Sequence, residues 1–294
     1  MNMNRLEAGT VVRLQAEREA PFGYFLSDGE ENVLLHHNEI AGEIELGQEV
    51  TVFLYHDKQG RLAATANIPT IQKGRYGWAE VVGVIKKLGV FVNIGISKDI
   101  LVSLDDLPLL EHLWPIEGDQ LFLSLKSDRN GRLFGKLATE DIIRQIARKA
   151  PESMKNQNIS GRVYRLLKVG SFVLTNDGYR GFIHESERGE EPRLGKLVQG
   201  RVIGVREDGS LNLSLIPRAY EKMDKDSEII LSFMESRNGA MPYTDKSQSD
   251  DIQLRFGMSK AAFKRALGRL MKENRVVQRN GWTYVIEQEQ PDKE

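Results

Sequence analysis

Five residues near the N-terminus have the types and spacing needed to hold one nucleotide. Two aromatic side chains flank Gly23-Tyr24, a histidine stands in the next apolar segment, and an acid and a base follow around a glycine; these residues are Phe22, Phe25, His36, Asp57 and Arg61. An aromatic ring can stack on any base, at about 1–3 kcal/mol per base, while histidine and arginine can reach base edges and phosphates. This set therefore favours binding of a nucleic acid.

The same frame recurs in a second segment, in which part of the set is replaced. Phe91, Asp128 and Arg132 keep the second aromatic, the acid and the base. Leu88 and Ser103 stand where the first copy has its first aromatic and its histidine. We therefore predict that the second copy acts mainly as a spacer, with Phe91 and Arg132 as its candidate contacts.

A third copy keeps the second aromatic and the histidine and gains positive charge. Val169 takes the first aromatic position, while Arg206 and Ser210 take the positions of the acid and the base. Basic residues compensate for the missing partners; they are Arg162, Arg165, Lys168, Arg180 and Arg201. We predict that this copy contacts a phosphate backbone most readily, through Arg162, Lys168, Phe172, His184 and Arg206.

Each copy contains five short apolar segments separated by Gly-containing turns. That pattern is typical of a five-stranded Greek-key barrel of the oligonucleotide-binding type, the OB fold. Ile142, Ile143 and Ile146 follow a helical spacing before Pro151 and predict a short helix between the second and third copies. The sequence therefore predicts three tandem barrels, at residues 1–69, 70–138 and 158–217, with a helical linker at 139–157.

After Pro217 the apolar period becomes helical. Ser249 and Ser259 are candidate caps of a second and a third helix, and Asn280-Gly281 predicts a hairpin turn. Three helices and a hairpin indicate a winged helix-turn-helix at residues 218–286, followed by a disordered tail at 287–294. Its third helix and wing carry the basic candidates for nucleic-acid contact, which are Lys260, Lys264, Arg265, Arg269, Lys272 and Arg279.

Charge is distributed unevenly along the chain. The net charge is −1 over 294 residues, but it is −6 for residues 8–67 and +6 for residues 246–286. The chain has no cysteine, which excludes disulfides and thiolate metal sites. It also shows neither a signal peptide nor an apolar run of about 20 residues, so we predict a cytoplasmic protein without membrane contact.

The barrel frame resembles the S1 RNA-binding domain, the repeat of the ribosomal protein S1 type. In that family the RNA face uses two aromatics, the histidine, the aspartate and the arginine. The full order of modules is similar to the conserved virulence factor B family, also called YitL-like. The most specific part is the C-terminal run from Phe256-Gly257-Met258-Ser259-Lys260, with Lys264-Arg265-Ala266, through Gly281-Trp282-Thr283-Tyr284. The resemblance implies an RNA-binding regulator of gene expression that is not an enzyme.

Signatures of catalysis and of metal or cofactor binding are absent from the sequence. It contains no Gly-x-Ser-x-Gly, His-Glu-x-x-His or Gly-x-Gly-x-x-Gly, and its five histidines lack metal-ligand spacing. We therefore predict no catalytic residue, no metal and no cofactor. The leading hypothesis is a binder of single-stranded or unpaired RNA. The alternatives are a transcriptional regulator that binds duplex DNA, a ribosome-associated scaffold and, more remotely, a ribonuclease.

Overall fold

The computed structural model describes residues 6–40 and 42–286, without the side chains of residues 219–224. The fold is mostly β, and the chain divides into two compact units, Met1–Ile216 and Pro217–Glu294. The predicted tail at residues 287–294 lies outside the described residues.

Three closed barrels make up the first unit, and each contains five strands. The strands of barrel 1 are β1 (Val11–Ala20), β2 (Gly23–Ser27), β3 (Asn32–His36), β4 (Glu49–His56) and β5 (Leu62–Thr65). Those of barrel 2 are β6 (Gly77–Ile85), β7 (Gly89–Asn93), β8 (Ile100–Ser103), β9 (Gln120–Ser127) and β10 (Leu133–Leu137). Those of barrel 3 are β11 (Asn158–Leu167), β12 (Gly170–Thr175), β13 (Arg180–His184), β14 (Leu197–Val205) and β15 (Leu211–Ser214).

One topology is repeated in all three barrels. The first strand pairs with the second and the fourth, and the third strand runs parallel to the fifth, which closes the sheet. A β-bulge interrupts the first strand of each barrel, between Ala16 and Arg18, Val81 and Gly83, and Val163 and Arg165. The predicted five-stranded barrels of the OB type are therefore confirmed.

The glycine that begins each second strand is required by close packing of two strands. Gly23, Gly89 and Gly170 have φ values of 155°, 134° and 156°. A Cβ atom at these positions would lie only 2.0–2.2 Å from a carbonyl oxygen of the third strand. The aromatic-Gly-x-Phe pattern of the sequence thus has a structural cause at its glycine.

The barrels of the first unit pack directly against one another. Phe53, Tyr55 and Ala63 of barrel 1 belong to the same hydrophobic cluster as the core of barrel 2. Leu194 of barrel 3 enters that cluster as well, beside an ion pair of Arg193 with the buried Asp119 of barrel 2, at 2.6 Å.

The connection between barrels 2 and 3 contains one short helix, α1 (Glu140–Ile146). Its buried residue Ile143 packs on Tyr164 and Leu174 of barrel 3. The predicted linker helix is therefore short, and it lies on the outer surface of barrel 3.

The second unit is a winged helix-turn-helix, as predicted. It contains α2 (Ala219–Glu235), β16 (Ala240–Met241), α3 (Ser249–Phe256), α4 (Lys260–Lys272), β17 (Val276–Arg279) and β18 (Trp282–Val285). Its core is formed by apolar residues of the three helices, among them Ile230, Ile252, Phe263, Leu267 and Leu270.

Local signals explain most helix and hairpin ends in this unit. Ser259 caps α4 by accepting the N–H of Ala262, and Gly257 ends α3 in the left-handed conformation. Asn280 and Gly281 both have positive φ, as a two-residue hairpin turn of type I′ requires. The expected cap of α3 was wrong by one residue: Ser249 is already helical, and the N-cap is Gln248, whose side chain makes no capping bond.

Candidate nucleic-acid interface

The strand register places the repeated aromatic residues at one equivalent position. Each of these residues lies in the second strand of its barrel and is paired with a residue of the third strand. The pairs are Phe25 with Leu34, Phe91 with Leu101, and Phe172 with Phe182. Neighbouring residues of these strands point into the barrels, so the three phenylalanines face outward, where they are half-buried.

In barrel 1 the two predicted aromatic residues form a pair. The ring centroids of Phe22 and Phe25 lie 6.2 Å apart in an edge-to-face arrangement, and Phe22 is 47% exposed. The guanidinium of Arg18 lies 4.2 Å from the centroid of Phe25. A base that stacks on Phe25 therefore has to share the ring with Arg18 or displace it.

The histidine position is a cap for a short 3-10 turn. Nδ1 of His36 accepts the N–H of Asn38, and Nδ1 of His184 accepts the N–H of Ser186, both at 3.2 Å. In barrel 2 the Oγ of Ser103 takes the same role. Both histidine side chains are exposed and keep Nε2 for a ligand, so capping and binding are compatible at this position.

The predicted Asp-x-x-x-Arg pairs have the same geometry in barrels 1 and 2. Asp57 Oδ1 accepts the N–H of Arg61, and Arg61 Nε donates to Oδ2, at 2.9 and 2.8 Å. Asp128 and Arg132 repeat these bonds at the same distances. The two arginine side chains remain 68% and 66% exposed, so each is oriented by its aspartate and still open to a phosphate.

Opposing effects act on the pKa of these two aspartates. Burial raises the pKa of Asp57, but the N–H groups of Arg61 and Gln59 and the Arg61 guanidinium together hold it below its ordinary value. The corresponding groups lower the pKa of Asp128. Both carboxylates thus stay charged and keep their arginines in place.

A cleft of about 350 Å³ brings together His36, Asp57 and Arg61 of barrel 1. Its wall also includes Lys98, which belongs to the segment between β7 and β8 of barrel 2. Sequence reasoning missed Lys98 because this segment lies outside the repeated frame. Leu34, the strand partner of Phe25, also lines the cleft. Three of the five predicted residues of barrel 1 therefore meet in the cleft, whereas Phe22 and Phe25 do not line it.

Barrel 2 has a smaller cleft of about 150 Å³, lined by Phe91, Phe134 and Arg132. Phe134 was not predicted as a contact, although it follows Arg132-Leu133 directly in the sequence. Its position in β10, opposite Leu101, gives this barrel a second outward aromatic residue in place of the missing one.

Barrel 3 presents a row of rings. Phe172 and Phe182 have centroids 5.0 Å apart, and Phe182 lies 6.4 Å from His184. Arg206 extends over Phe182, at 5.7 Å, and is held there by a 2.9 Å bond from its Nε to Asn212. Phe182 was missed as a candidate, although Gly181-Phe182-Ile183-His184 places it two residues before the predicted histidine.

Two predicted contacts of barrel 3, Arg162 and Phe172, are partly covered by neighbouring groups, and a third, Lys168, is exposed. Arg162 is half-buried, and its guanidinium lies 5.6 Å from the ring of Trp78 in barrel 2. Phe172 is partly covered by Arg180, at 5.1 Å from its ring. Lys168 is exposed in the turn between β11 and β12. Phe182 and His184 are therefore better placed for a ligand than Arg162.

An ionic cluster fixes α1 on barrel 3. Glu140 accepts the Nε of Arg180 at 2.6 Å and the hydroxyl of Tyr164 at 2.9 Å, and Arg144 lies 3.2 Å away. The side chains of Glu140 and Arg180 are only 13% and 11% exposed. Burial, followed by the bond to Glu140, raises the pKa of the Tyr164 hydroxyl. The side chain of Arg180 is therefore used to hold α1 on barrel 3.

Helix α4 presents an exposed basic surface in the second unit. Lys264, Arg265 and Lys272 are exposed, and Lys260 is half-buried at the first turn. Arg269 is paired with Glu273 at 2.7 Å, while Lys264 lies 3.9 Å from Asp245. Arg279 is exposed in the wing, next to Trp282, which is 43% exposed.

The part of the chain that the structure describes shows neither a metal cluster nor a membrane-spanning helix. No group of three or more histidine, aspartate or glutamate side chains in residues 6–40 and 42–286 could hold a metal ion. In the same part of the chain, no helix has the length and apolar character of a membrane span.

Comparison with known families assigns every module. Residues 8–67 match the S1 domain, and residues 76–136 match the CvfB first S1-like domain. Residues 143–217 match the second domain of the virulence regulatory factor CvfB, and residues 228–285 match the CvfB-like winged helix domain.

Individual relatives match the chain over nearly its whole length. YitL of Bacillus subtilis (strain 168) is 55% identical over 279 residues, which cover 95% of this chain and 94% of the relative. Conserved virulence factor B of Staphylococcus epidermidis (strain ATCC 35984) is 41% identical, with 87% and 89% covered.

A crystal structure from Streptococcus pneumoniae TIGR4, described as a multidomain protein with nucleic acid binding domains, has a TM-score of 0.67. It is 41% identical, and the match covers 95% of this chain and 98% of that one. The module order, the matched profiles and the full-length relatives agree, and the chain belongs to the conserved virulence factor B family.

Proposed function

We propose that the protein binds single-stranded or unpaired RNA and regulates gene expression by this binding, without a catalytic step. The observation that carries the proposal is the ring row of barrel 3, in which Phe172, Phe182 and His184 lie beside Arg206. Rings exposed on a barrel surface can stack on bases only when those bases are unpaired. Arginine beside the row supplies a partner for the phosphates.

The names of the relatives support the part of the proposal that concerns regulation of gene expression. The matched profile is called a virulence regulatory factor, and the similar crystal structure is described as having nucleic acid binding domains. A regulator that acts on messenger RNA fits both descriptions. The cytoplasmic location predicted from the sequence is where it would meet its target, and a ribosome carrying that RNA is a compatible partner.

A second candidate function rests on α4. Its exposed side chains Lys264, Arg265 and Lys272 belong to the helix that enters the major groove of DNA in helix-turn-helix proteins. In this alternative the protein is a transcriptional regulator, and the barrels serve protein contacts.

The test measures binding of a fluorescent oligouridine by anisotropy, with the full chain and a Phe182→Leu variant. Loss of one stacked base corresponds to about 1–3 kcal/mol, so we expect roughly 5- to 150-fold weaker binding. The control is Tyr179→Leu, which changes a ring in the turn before β13 that packs towards Arg148. No binding by the full chain at low salt, or equal affinities of the two variants, would contradict the proposal.

A further inference from the structure

The clefts of barrels 1 and 2 meet at shared residues. Tyr55 and Lys98 line both clefts. Arg61 lies in the wall of the first cleft and Arg132 in the wall of the second. Two exposed arginines, each oriented by an aspartate, therefore border the two clefts that Lys98 connects.

The spacing between the clefts is fixed by packing. Tyr55 and Ser97 share a 3.2 Å hydrogen bond across the two barrels, in addition to their common hydrophobic cluster. A Cβ atom on Gly131, in the turn before Arg132, would lie 3.4 Å from the ring of His56. The hairpin of barrel 2 thus lies against the end of β4, from which the Asp57–Arg61 turn begins.

Among the described residues, Lys98 is held by carbonyl oxygens and forms no ion pair. Its Nζ donates to the carbonyl oxygens of His56 and Asp57, at 2.7 and 3.1 Å. An ammonium group has three protons, so one remains for another acceptor. Among the described residues no carboxylate oxygen lies within 4.0 Å of Lys98 Nζ.

Partial burial of such a charge is unfavourable unless an anion compensates it. Consistent with this, burial lowers the pKa of Lys98 from its ordinary value, although Asp57 opposes the change. Carbonyl oxygens fix the position of the ammonium without neutralising it. A phosphate group that lies in the clefts beside Lys98 would add a negative charge next to this ammonium.

We propose that one strand of nucleic acid runs through both clefts and that Lys98 binds the phosphate at the crossing between barrels 1 and 2. This rests on the proposed function, because it assumes that the barrels bind an unpaired strand. It adds a contact residue outside the repeated frame and a minimum length for the ligand. Two clefts bridged by one strand give a gain in affinity once the strand is long enough to reach both.

The experiment uses full-length chains that carry Phe182→Leu, which weakens the contribution of barrel 3. Labelled oligouridines of about 4, 8, 12 and 16 nucleotides are titrated, since one OB barrel covers about 4–16 nucleotides. The variants are Lys98→Gln and, as a charge-matched control, Lys155→Gln, which changes an exposed lysine that follows a 3-10 turn before β11.

We expect a step in affinity with length that Lys98→Gln abolishes and Lys155→Gln leaves in place. On the long strands Lys98→Gln should weaken binding roughly two- to fivefold and lower the slope of log affinity against log salt by about 0.7. Equal behaviour of the two lysine variants at every length would overturn the proposal. If the unmodified full chain binds no oligouridine at all, the proposed function fails as well.

A second pair of variants distinguishes a role of Lys98 in binding the strand from a role in holding barrels 1 and 2 together. Arg61→Gln and Arg132→Gln change exposed side chains whose hydrogen bonds are made within their own barrels. A single path predicts that each weakens binding of the long strand. If the two clefts bind independently, either variant should weaken binding of the long strand by less than about twofold, because the unchanged cleft still binds. That result would overturn the proposal of a single path, even if Lys98→Gln loosens the contact between the two barrels.

Discussion

At the scale of the residue, the positions that the repeats share have two roles. His36 and His184 cap short turns through Nδ1, and the serine at the same place in barrel 2 does so through Oγ. Replacement of the histidine by serine therefore preserves the turn and removes only the imidazole from the surface. This explains how barrel 2 keeps its fold while its exposed face changes.

His56 should make the stability of the barrel pair depend on pH. Burial, followed by the charge of Lys98, lowers the pKa of His56, so the folded protein favours the neutral ring. The unfolded chain has a histidine pKa of about 6.5 and binds the proton first as the pH falls. Stability that is present above this pKa is therefore lost as the pH decreases through it.

The measurement is the melting temperature of the wild type and of His56→Gln at about pH 7.5 and 5.5. Asp57, Asp128 and Lys73 also act on this ring, but they are present in both proteins. We expect a smaller acid-induced decrease in the variant than in the wild type. An equal decrease in both would show that His56 does not carry the effect.

At the scale of the element, much of the fold could be predicted because local signals determine it. Five alternating strands and their Gly-containing turns predict each barrel, and Ser259 and Asn280-Gly281 predict α4 and the wing. The roles of Phe134 and Phe182 could not be assigned in this way, because they depend on which strands become neighbours. The position of Arg162 near Trp78 could not be predicted either, since no local signal encodes the packing of barrel 3 on barrel 2.

The attachment of α1 to barrel 3 should depend on Glu140. Glu140→Gln leaves the buried Arg180 without its main counter-charge, which usually costs about 3–5 kcal/mol. We expect a loss of about 2–3 kcal/mol, because Asp208 stays 3.5 Å from Arg180 and offsets part of it. The measurement is urea-induced unfolding of the full chain.

Arg144→Gln is the matched control, since this side chain is 62% exposed and also bonded to Glu140. Its expected cost is below about 0.5 kcal/mol. Similar losses for the two variants would contradict a structural role of the buried pair.

Helix α4 contains a glycine, Gly268, at which the described residues leave space for a side chain. Among the described residues, no atom outside the adjoining turns of α4 lies within 4 Å of the position that a Cβ atom on Gly268 would occupy. Gly268→Ala should therefore stabilise the helix by about 0.5–1 kcal/mol. Thermal melting followed by circular dichroism in the helix band is the measurement.

Gly257→Ala provides the comparison, because Gly257 has a φ of 66° at the end of α3. That variant should lose about 1 kcal/mol or more. If Gly268→Ala melts below the wild type, the glycine has a role in the fold that the packing does not reveal.

At the scale of the whole molecule, charge and exposed rings are distributed differently. Residues 8–67 carry a net charge of −6, whereas residues 246–286 carry +6. Base stacking is available on the barrels, whereas the excess of positive charge is concentrated in residues 246–286, which include α4 and the wing. We therefore expect the barrels to select unpaired strands and the winged helix to add affinity that depends on salt.

Competition between ligands tests the central claim most directly. A labelled single-stranded RNA bound to the full chain is displaced by unlabelled RNA of the same sequence, or by duplex DNA of equal length at the same salt concentration. Unpaired bases can stack on Phe182 and Phe25, and duplex bases cannot. The account predicts that displacement needs at least about tenfold more duplex DNA than RNA, corresponding to one lost stack. Displacement by duplex DNA at equal or lower concentration would contradict it and favour a DNA-binding regulator.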